Sequence, residues 1–150
     1  MSKVICISGK AGHGKNTLAE MLKLKFEKLG YRTIVIGYGD FLKFVCENYF
    51  GWDGKKDQKG RDMLQKIGTD IGRTNYDCVW IDMVKAFIKG FKSEFDIFII
   101  PDCRFENEIL EMKKEFDVTT IKVIRLGYEN KEMTEEQKQH ISETQLDNFI

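Results

Sequence analysis

The chain has 150 residues, 24 basic against 24 acidic side chains and a formal net charge of +0. A chain of this length buries a core of its own, so we expect a single domain over residues 1–150. The balanced charge argues against a nucleic-acid or membrane partner and favours a small molecule. The four cysteines are scattered without C-x-x-C spacing, and the sequence has no signal peptide or long apolar stretch, which predicts a reduced, cytoplasmic protein.

A glycine-rich turn follows the first apolar run, Val4 to Ile7, and has the spacing G-x-x-x-x-G-K. A strand, such a turn and a helix N-terminus aim backbone N–H groups and the positive end of a helix dipole at one anion, which predicts a phosphate-binding loop. Lys15 is expected to reach the outer phosphates, and the hydroxyl of Thr17 to hold magnesium. The expected ATP-binding residues are Gly9, Lys10, Ala11, Gly12, His13, Gly14, Lys15, Asn16, Thr17 and Arg125.

The residue after Lys15 is Asn16, so the hydroxyl of Thr17 comes one position later than in the usual loop. This G-K-x-T ending is similar to that of nucleoside monophosphate kinases such as adenylate kinases. The departure therefore points toward small-molecule kinases. The alternative interpretation is a glycine-rich turn between strand and helix that binds no ligand.

A helix is predicted over residues 15–29, where apolar residues recur at helical spacing before a glycine. Residues 33–37 have the pattern of a buried strand, which completes a β-α-β unit and implies a parallel sheet. Asp40 follows that strand, where capping of the next helix and contact with a substrate are both expected and are compatible. Residues 50–57 combine turn residues with charges and predict an exposed, mobile loop.

The stretch of residues 61–73 has apolar residues at helical spacing, but Gly68 and Gly72 lie inside the pattern. Each glycine costs a helix about 1 kcal/mol relative to alanine. Glycines are favoured there if a ligand must approach the backbone closely, and Arg61 and Arg73 bracket them. The alternative is a frayed helix with solvated charges.

A largely buried helix is predicted over residues 76–91, and a third strand over residues 96–100, ended by Pro101. Asp102 follows at the carboxyl end of that strand, where nucleotide-binding folds place the second magnesium-holding group. Arg104 is expected to bind phosphate, because a planar guanidinium offers two nitrogens to it where lysine offers one.

Another helix packs through apolar residues between positions 105 and 116, and residues 119–125 predict a fourth strand. Residues 126–140 are polar and charged with little apolar period. This position is typical of a lid over the donor nucleotide, and an ordinary surface excursion is the alternative. His13 and His140 share no motif, which favours a structural role for each.

Together these segments resemble the deoxynucleoside monophosphate kinases of bacteriophages, a branch of the P-loop kinases. The resemblance covers most of the chain and rests on residues 9–17, 60–70, 102–108 and 140–147. It departs from the family pattern twice, since a serine is usual at His13 and an aspartate at Asn16. The resemblance implies that the nucleotide monophosphate and transfer sites are lined by His13, Asn16, Thr17, Arg61, Gln65, Gly68, Thr69, Trp80, Asp102, Arg104 and Glu108.

The motifs and the resemblance predict an α/β, three-layer P-loop NTPase-like fold with a mainly parallel sheet flanked by helices. Residues 38–95 are expected to form a helical insertion that binds the acceptor, and residues 126–140 a lid. The expected activity is transfer of the γ-phosphate of ATP to a deoxynucleoside 5′-monophosphate, in the cytoplasm of the host cell if a phage encodes the chain. The sequence does not decide whether the chain forms a homodimer.

Lys15, Arg104 and Asp102 are expected to act in catalysis, with Mg²⁺ held by Thr17, Asn16 and Asp102. Two other functions stay open. One is a P-loop kinase for a different phosphorylated small molecule, such as phosphomevalonate. The other is a catalytically weak nucleotide-binding protein, indicated by Asn16 and by the early end of the chain. The expected substrate-binding residues are Asp40, Arg61, Gln65, Gly68, Thr69, Arg73, Trp80, Arg104 and Glu108.

Overall fold

The computed structural model describes residues 2–149, and its centre is one parallel sheet. In this range the strands lie side by side in the order β2-β3-β1-β4. Parallel neighbours need long crossover connections, which helices supply here. The sheet confirms the predicted α/β fold. Its strands are β1 (Lys3–Ser8), β2 (Thr33–Val35), β3 (Ile97–Cys103) and β4 (Asp117–Lys122).

Helices connect all of these strands. The first, α1 (Lys15–Lys28), joins β1 to β2, and α5 (Glu106–Glu115) joins β3 to β4. None of the helices within residues 2–149 has the length and apolarity to cross a membrane. The helical region between β2 and β3 holds α2 (Tyr38–Tyr49), α3 (Gln58–Gln65), a π-helical segment (Lys66–Arg73) and α4 (Val79–Gly90), and two short helices, α6 (Glu135–Gln139) and α7 (Ile141–Thr144), follow β4.

Both faces of the sheet are covered, because successive side chains of a strand point to opposite sides. Val4 and Cys6 pack in one core with residues of α2, α4 and α5. Ile5 and Ile7 pack on the other face, against Ala19 and its neighbours in α1. The result is the predicted three-layer arrangement of helices, sheet and helices.

Two predicted strand ends are wrong. Pro101 lies inside β3 rather than ending it. The ladder with β1 is irregular between Cys6 and Ser8, opposite this part of β3, so the N–H that proline lacks costs little there. The fourth strand lies at Asp117–Lys122 rather than 119–125, since these residues pair one to one with β1, which ends at Ser8.

The prediction of an exposed loop over residues 50–57 is also wrong at Trp52. Trp52 is buried with Cys46 and Ile67, and its indole N–H donates to the Lys55 carbonyl over 3.1 Å. This anchor gives the loop a fixed path beside α3. Burial of a large aromatic ring outweighs the polar character of its neighbours.

The glycine-containing stretch that follows α3 is neither a regular nor a frayed helix, because Lys66–Arg73 forms a π-helix. Trp80 of α4 donates its indole N–H to the Gly68 carbonyl over 2.9 Å. A side chain on Gly68 would meet Leu42 of α2, with its Cβ 2.7 Å from the nearest methyl group. Glycine therefore permits close packing between α2 and the π-helical segment, and π-helical turns are frequent at functional sites.

Candidate active site

The glycine-rich loop, residues 9–14, leaves β1 and enters α1 at the carboxyl edge of the sheet. Gly12 has φ +79°, in the left-handed region, and a Cβ there would lie 2.6 Å from the Tyr128 hydroxyl. Gly14 is the N-cap of α1, also left-handed, and provides no side-chain hydrogen bond to the helix. The first N–H groups of α1 therefore keep their capacity to bind an anion.

Lys15 is the first residue of α1 and is 8% exposed, and its ammonium group donates to the Gly9 carbonyl. Burial lowers its pKa to about 7, and the nearby Arg104 guanidinium acts in the same direction. Glu143 and Asp102 oppose that shift. A phosphate at this position would favour the charged lysine, so anion binding and protonation of Lys15 reinforce each other.

One cleft of about 750 Å³ brings together side chains from the glycine-rich loop, α2, α3, the π-helical segment and the end of β3. The expected residues that line it are Ala11, Gly12, Gly14, Lys15, Asn16, Thr17, Asp40, Arg61, Gln65, Gly68, Thr69, Arg73, Trp80, Asp102, Arg104, Glu108 and Arg125. The expected residues Gly9, Lys10 and His13 line a neighbouring cavity of about 270 Å³ instead.

Asp102 contacts the N-terminus of α2. Its carboxylate accepts hydrogen bonds from the N–H groups of Tyr38 (3.0 Å) and Gly39 (2.8 Å). A Cβ on Gly37 would lie 2.6 Å from Asp102 Oδ2, so glycine there permits this approach. Asp40 is the third residue of α2 rather than its N-cap, and its carboxylate accepts from the Gly37 N–H over 2.8 Å.

Arg61 lies on α3 and lines the same cleft. Its Nη2 donates to Glu132 over 3.2 Å, whereas its Nε is buried and has no hydrogen-bond partner among the described residues. Burial of an N–H donor without a partner costs free energy unless a ligand accepts its hydrogen bond. Gln65, one turn further on, donates its amide to the Gln137 carbonyl over 3.2 Å.

Arg73 and Glu108 brace the turn between β3 and α5. The Arg73 guanidinium lies 3.9 Å from the centre of the Phe105 ring, contacts Asn107 and pairs with Glu108 over 3.5 Å. Glu108 also accepts the N–H groups of Arg104 (2.6 Å) and Phe105 (3.0 Å), and burial raises its pKa to about 7. Protein groups therefore engage the polar ends of both expected substrate-binding residues.

Arg104 is tied to the C-terminal segment by one nitrogen. Its Nη1 forms an ion pair with Glu143 and donates to the Ser142 carbonyl over 3.4 Å. Neither Nε nor Nη2 has a hydrogen-bond partner within residues 2–149. The guanidinium is thus fixed at one corner and retains donors for a ligand.

Arg125 lies over the outer side of the glycine-rich loop. Its guanidinium stacks 4.1 Å from the centre of the Tyr128 ring and donates to the Gly12 carbonyl over 3.3 Å. Its N–H donates to His13 Nδ1 over 3.2 Å. Burial, followed by the charge of Lys15, lowers the pKa of His13, which favours the neutral ring that accepts this hydrogen bond.

The donors available to a divalent cation are oxygens. Thr17 and Asn16 are exposed on the first turn of α1 and line the same cleft as Asp102. Within the described residues, no group of three or more histidine, cysteine or acidic side chains is arranged to hold a metal. Magnesium at nucleotide sites takes one or two protein oxygens and completes its shell with phosphate and water, which this donor set fits.

Several residues of the cleft have no counterpart among the expected ones. Lys43 and Lys56 line it, and although Lys56 as a residue is exposed, burial of its amine and the neighbouring cations lower its pKa. Nothing in the sequence distinguishes these lysines from surface lysines. Glu143 and Ser142 also line the cleft. Both belong to the 140–147 motif, which marks the segment in the sequence but indicates no role for either residue.

Comparison with known proteins gives one family match. Residues 47–148, two thirds of the chain, match the deoxynucleotide monophosphate kinase family. None of the curated proteins compared with the chain matches it. Among solved structures, a mutant APS kinase from Mycobacterium tuberculosis is similar with a TM-score of 0.46 and 12% identity, over 87% of this chain and 80% of that chain. The family match includes α3, the π-helical segment, the end of β3 and the C-terminal segment, and begins after the glycine-rich loop.

Proposed function

The chain belongs to the deoxynucleotide monophosphate kinase family and is a nucleotide kinase, and on that premise we propose that it transfers the γ-phosphate of ATP to the 5′-phosphate of a deoxynucleoside monophosphate. The observation that carries this proposal is a single cleft lined by Lys15 at the start of α1, by Arg61 of α3 and by Arg104 after β3. Two anions of like charge meet in such a reaction. A cleft with cations on both sides is suited to hold them together.

The donor binds at the glycine-rich loop. Backbone N–H groups of the loop and of the first turn of α1 surround its phosphates, and the Lys15 ammonium contacts the outer ones. Because the pKa of Lys15 is about 7 in the free protein, phosphate binding draws a proton to this amine near neutral pH. The Arg104 donors that lack protein partners in the described part of the chain add charge beside it.

The acceptor binds between α3, the π-helical segment and the end of β3. The buried Arg61 Nε is a donor that a phosphate oxygen would satisfy, and Lys43 and Lys56 add positive charge. An oxygen of the acceptor phosphate attacks the γ-phosphorus, the bond from that phosphorus to the β–γ bridging oxygen breaks, and ADP leaves. The attacking oxygen is already anionic near neutral pH, so positioning and charge neutralisation do most of the catalysis.

The same proposal includes magnesium. A bound Mg²⁺ would supply positive charge that offsets the charge of the donor phosphates. Thr17, Asn16 and Asp102 would hold it from the protein side. Asn16 offers a neutral oxygen where an aspartate would offer a charge, so Asp102 is the one carboxylate in this set.

We also infer that residues 38–95 hold the acceptor and that residues 126–140 act as a lid. Support for the lid comes from its contacts with both sides of the cleft. Tyr128 lies against Gly12 of the donor loop, while Glu132 pairs with Arg61 on the acceptor side. A segment that contacts both regions is suited to exclude water once both substrates are bound.

The test is a coupled assay for ADP release with ATP and magnesium. The acceptors are the four common deoxynucleoside monophosphates, their ribose counterparts and phosphomevalonate. We expect ADP release and a diphosphate product with at least one deoxynucleoside monophosphate. Turnover with phosphomevalonate alone, or ATP binding without ADP release with every acceptor, would contradict the proposal.

A further inference from the structure

The segment of residues 140–147 makes contacts that the proposed reaction does not yet use. Glu143 of α7 has a side chain only 5% exposed, and its two oxygens contact different parts of the cleft. One accepts the N–H of Ala11 in the glycine-rich loop over 3.1 Å. The other forms the ion pair with Arg104. One carboxylate therefore connects the donor loop to a guanidinium of the transfer site.

Contacts on both sides of Glu143 fix its position. His140 pairs through Nε2 with Asp70 of the π-helical segment over 3.0 Å, and through Nδ1 with the Ser142 hydroxyl over 2.7 Å. Lys10 of the glycine-rich loop donates to the Glu143 carbonyl over 3.2 Å and pairs with Asp147 over 2.9 Å. The segment is thus anchored to the π-helical segment at one end and to the glycine-rich loop at the other.

We propose that Glu143 is a positioning residue for phosphoryl transfer, which fixes the Arg104 guanidinium relative to the glycine-rich loop so that its remaining donors meet the transferred phosphate. This inference rests on the proposed function. Arginine side chains lose considerable rotamer freedom when a ligand immobilises them. A carboxylate that holds Arg104 beforehand removes that cost from the catalytic step.

A carboxylate beside a phosphate loop also has the opposite interpretation, in which it takes the place of a phosphate and inhibits binding. The contacts favour positioning. Glu143 engages only Nη1 of Arg104 and leaves Nε and Nη2 without protein partners in the described part of the chain. The ammonium of Lys15, the group expected to meet phosphate first, is held by the Gly9 carbonyl and forms no ion pair with any described carboxylate.

The test compares Glu143→Gln with Glu27→Gln in steady-state kinetics. Glutamine keeps an oxygen for the Ala11 N–H but loses the charge that holds Arg104. We expect kcat to fall about tenfold or more in Glu143→Gln, with the KM for ATP within about threefold of the parent enzyme. Glu27 is a matched control, since this exposed glutamate pairs with Lys23 on α1, outside the cleft, and its variant should leave both constants unchanged.

A double-mutant cycle with Arg104→Gln separates positioning from general destabilisation. If Glu143 acts through Arg104, adding Glu143→Gln to Arg104→Gln should change kcat less than about twofold. An equal loss in both backgrounds would overturn the proposal. An unchanged kcat in Glu143→Gln alone would also overturn it. A raised kcat in that variant would overturn it as well and would indicate an inhibitory carboxylate.

Failure of the proposed function is distinguishable from failure of this inference. If the parent protein releases no ADP with any acceptor, the proposed function is wrong. The same cycle is then measured by calorimetric binding of inorganic tripolyphosphate. We expect Glu143→Gln to weaken that affinity about threefold in the parent and hardly at all in Arg104→Gln, and tighter binding would overturn the positioning role. Equal changes in the two backgrounds would overturn the positioning role.

Discussion

The proposed donor loop and the proposed acceptor side of the cleft hold positive charge in different ways. The loop relies on backbone N–H groups and one buried lysine, all contributed by residues 9–17. The acceptor side relies on guanidinium groups whose protein partners lie far away in the chain. Arg61 pairs with Glu132, 71 residues later, and Arg104 with Glu143, 39 residues later.

This difference affects how each region responds to change. Backbone donors are fixed by local geometry, so the donor loop depends on its glycines and on Lys15. Guanidinium donors are fixed by tertiary contacts, so the acceptor side depends on the segment that follows β4. Substitutions can therefore test the two regions separately.

The largest effect is expected for Lys15→Met, which removes the charge at the outer phosphates. Turnover should fall at least about a thousandfold, because phosphoryl transfer depends mainly on electrostatic stabilisation of the charge on the moving group. Lys23→Met is the control, since that half-buried lysine pairs with Glu27 on α1 and lies outside the cleft. Rates in Lys15→Met within tenfold of the parent would refute the donor assignment.

The same variant makes a prediction about stability. The pKa of Lys15 is about 7 in the folded protein and 10.5 in its ordinary state, so the folded chain binds fewer protons between these values. Stability therefore rises with pH across this window because of Lys15. Thermal unfolding should show Lys15→Met as more stable than the parent at pH 6 to 7, with the difference lost near pH 10. If the parent protein were more stable than Lys15→Met at pH 6, the result would contradict the burial of a charged lysine.

A smaller effect is expected on the acceptor side from Arg61→Ala. Hydrogen bonds to a charged phosphate contribute about 1.5–3 kcal/mol, so kcat/KM for the acceptor should fall roughly tenfold to a hundredfold. The KM for ATP should stay nearly constant. Arg32→Ala is the matched control, because Arg32 pairs with Asp96 outside the cleft. Equal losses for ATP and acceptor would show that the two regions are not separate.

A smaller loss of activity is expected for Gly37→Ala, which acts on Asp102 alone. The new methyl group would lie 2.6 Å from Oδ2, so the carboxylate must leave the N-terminus of α2. We expect kcat to fall about tenfold and stability by about 1 kcal/mol, the size of a lost helix-terminal contact. Gly90→Ala is the control, since a Cβ there meets no described atom within 4 Å. Unchanged activity in Gly37→Ala would remove Asp102 from the site.

The smallest effect on turnover is expected for Glu108→Gln, whose readout is stability against pH. Burial raises the folded pKa of Glu108 to about 7, above its ordinary 4.5, so its contribution is full below pH 4.5 and lost as pH rises through 7. The free energy of unfolding of the parent relative to Glu108→Gln should fall by on the order of 3 kcal/mol between pH 4 and pH 8. A flat difference in urea titrations would contradict this burial.

The sequence predicts what depends on local spacing. The glycine-rich loop, α1, the parallel sheet and the position of Asp102 follow from short patterns whose geometry is fixed within a few residues. The anchored Trp52 and the position of Pro101 in β3 do not, because tertiary packing decides both. For the same reason, periodicity could not distinguish a frayed helix from the π-helical segment that Trp80 contacts.

The acceptor side shows this limit most clearly. Arg61 and Arg104 could be selected from their motifs, but their partners Glu132 and Glu143 could not, since only the folded chain brings them together. Lys43 and Lys56 have no sequence signal at all, because the helical region between β2 and β3 alone decides which lysines face the cleft.

The central claim is that one cleft holds two phosphate-bearing ligands at once, and a bisubstrate analogue tests it most directly. The probe joins adenosine and a deoxynucleoside through five phosphates, and calorimetry measures its binding to the parent, Lys15→Met and Arg61→Ala. We predict one molecule bound per chain, competition with both ATP and the acceptor, and weaker binding in each variant. Binding that competes with ATP alone and is unaffected by Arg61→Ala would contradict the claim.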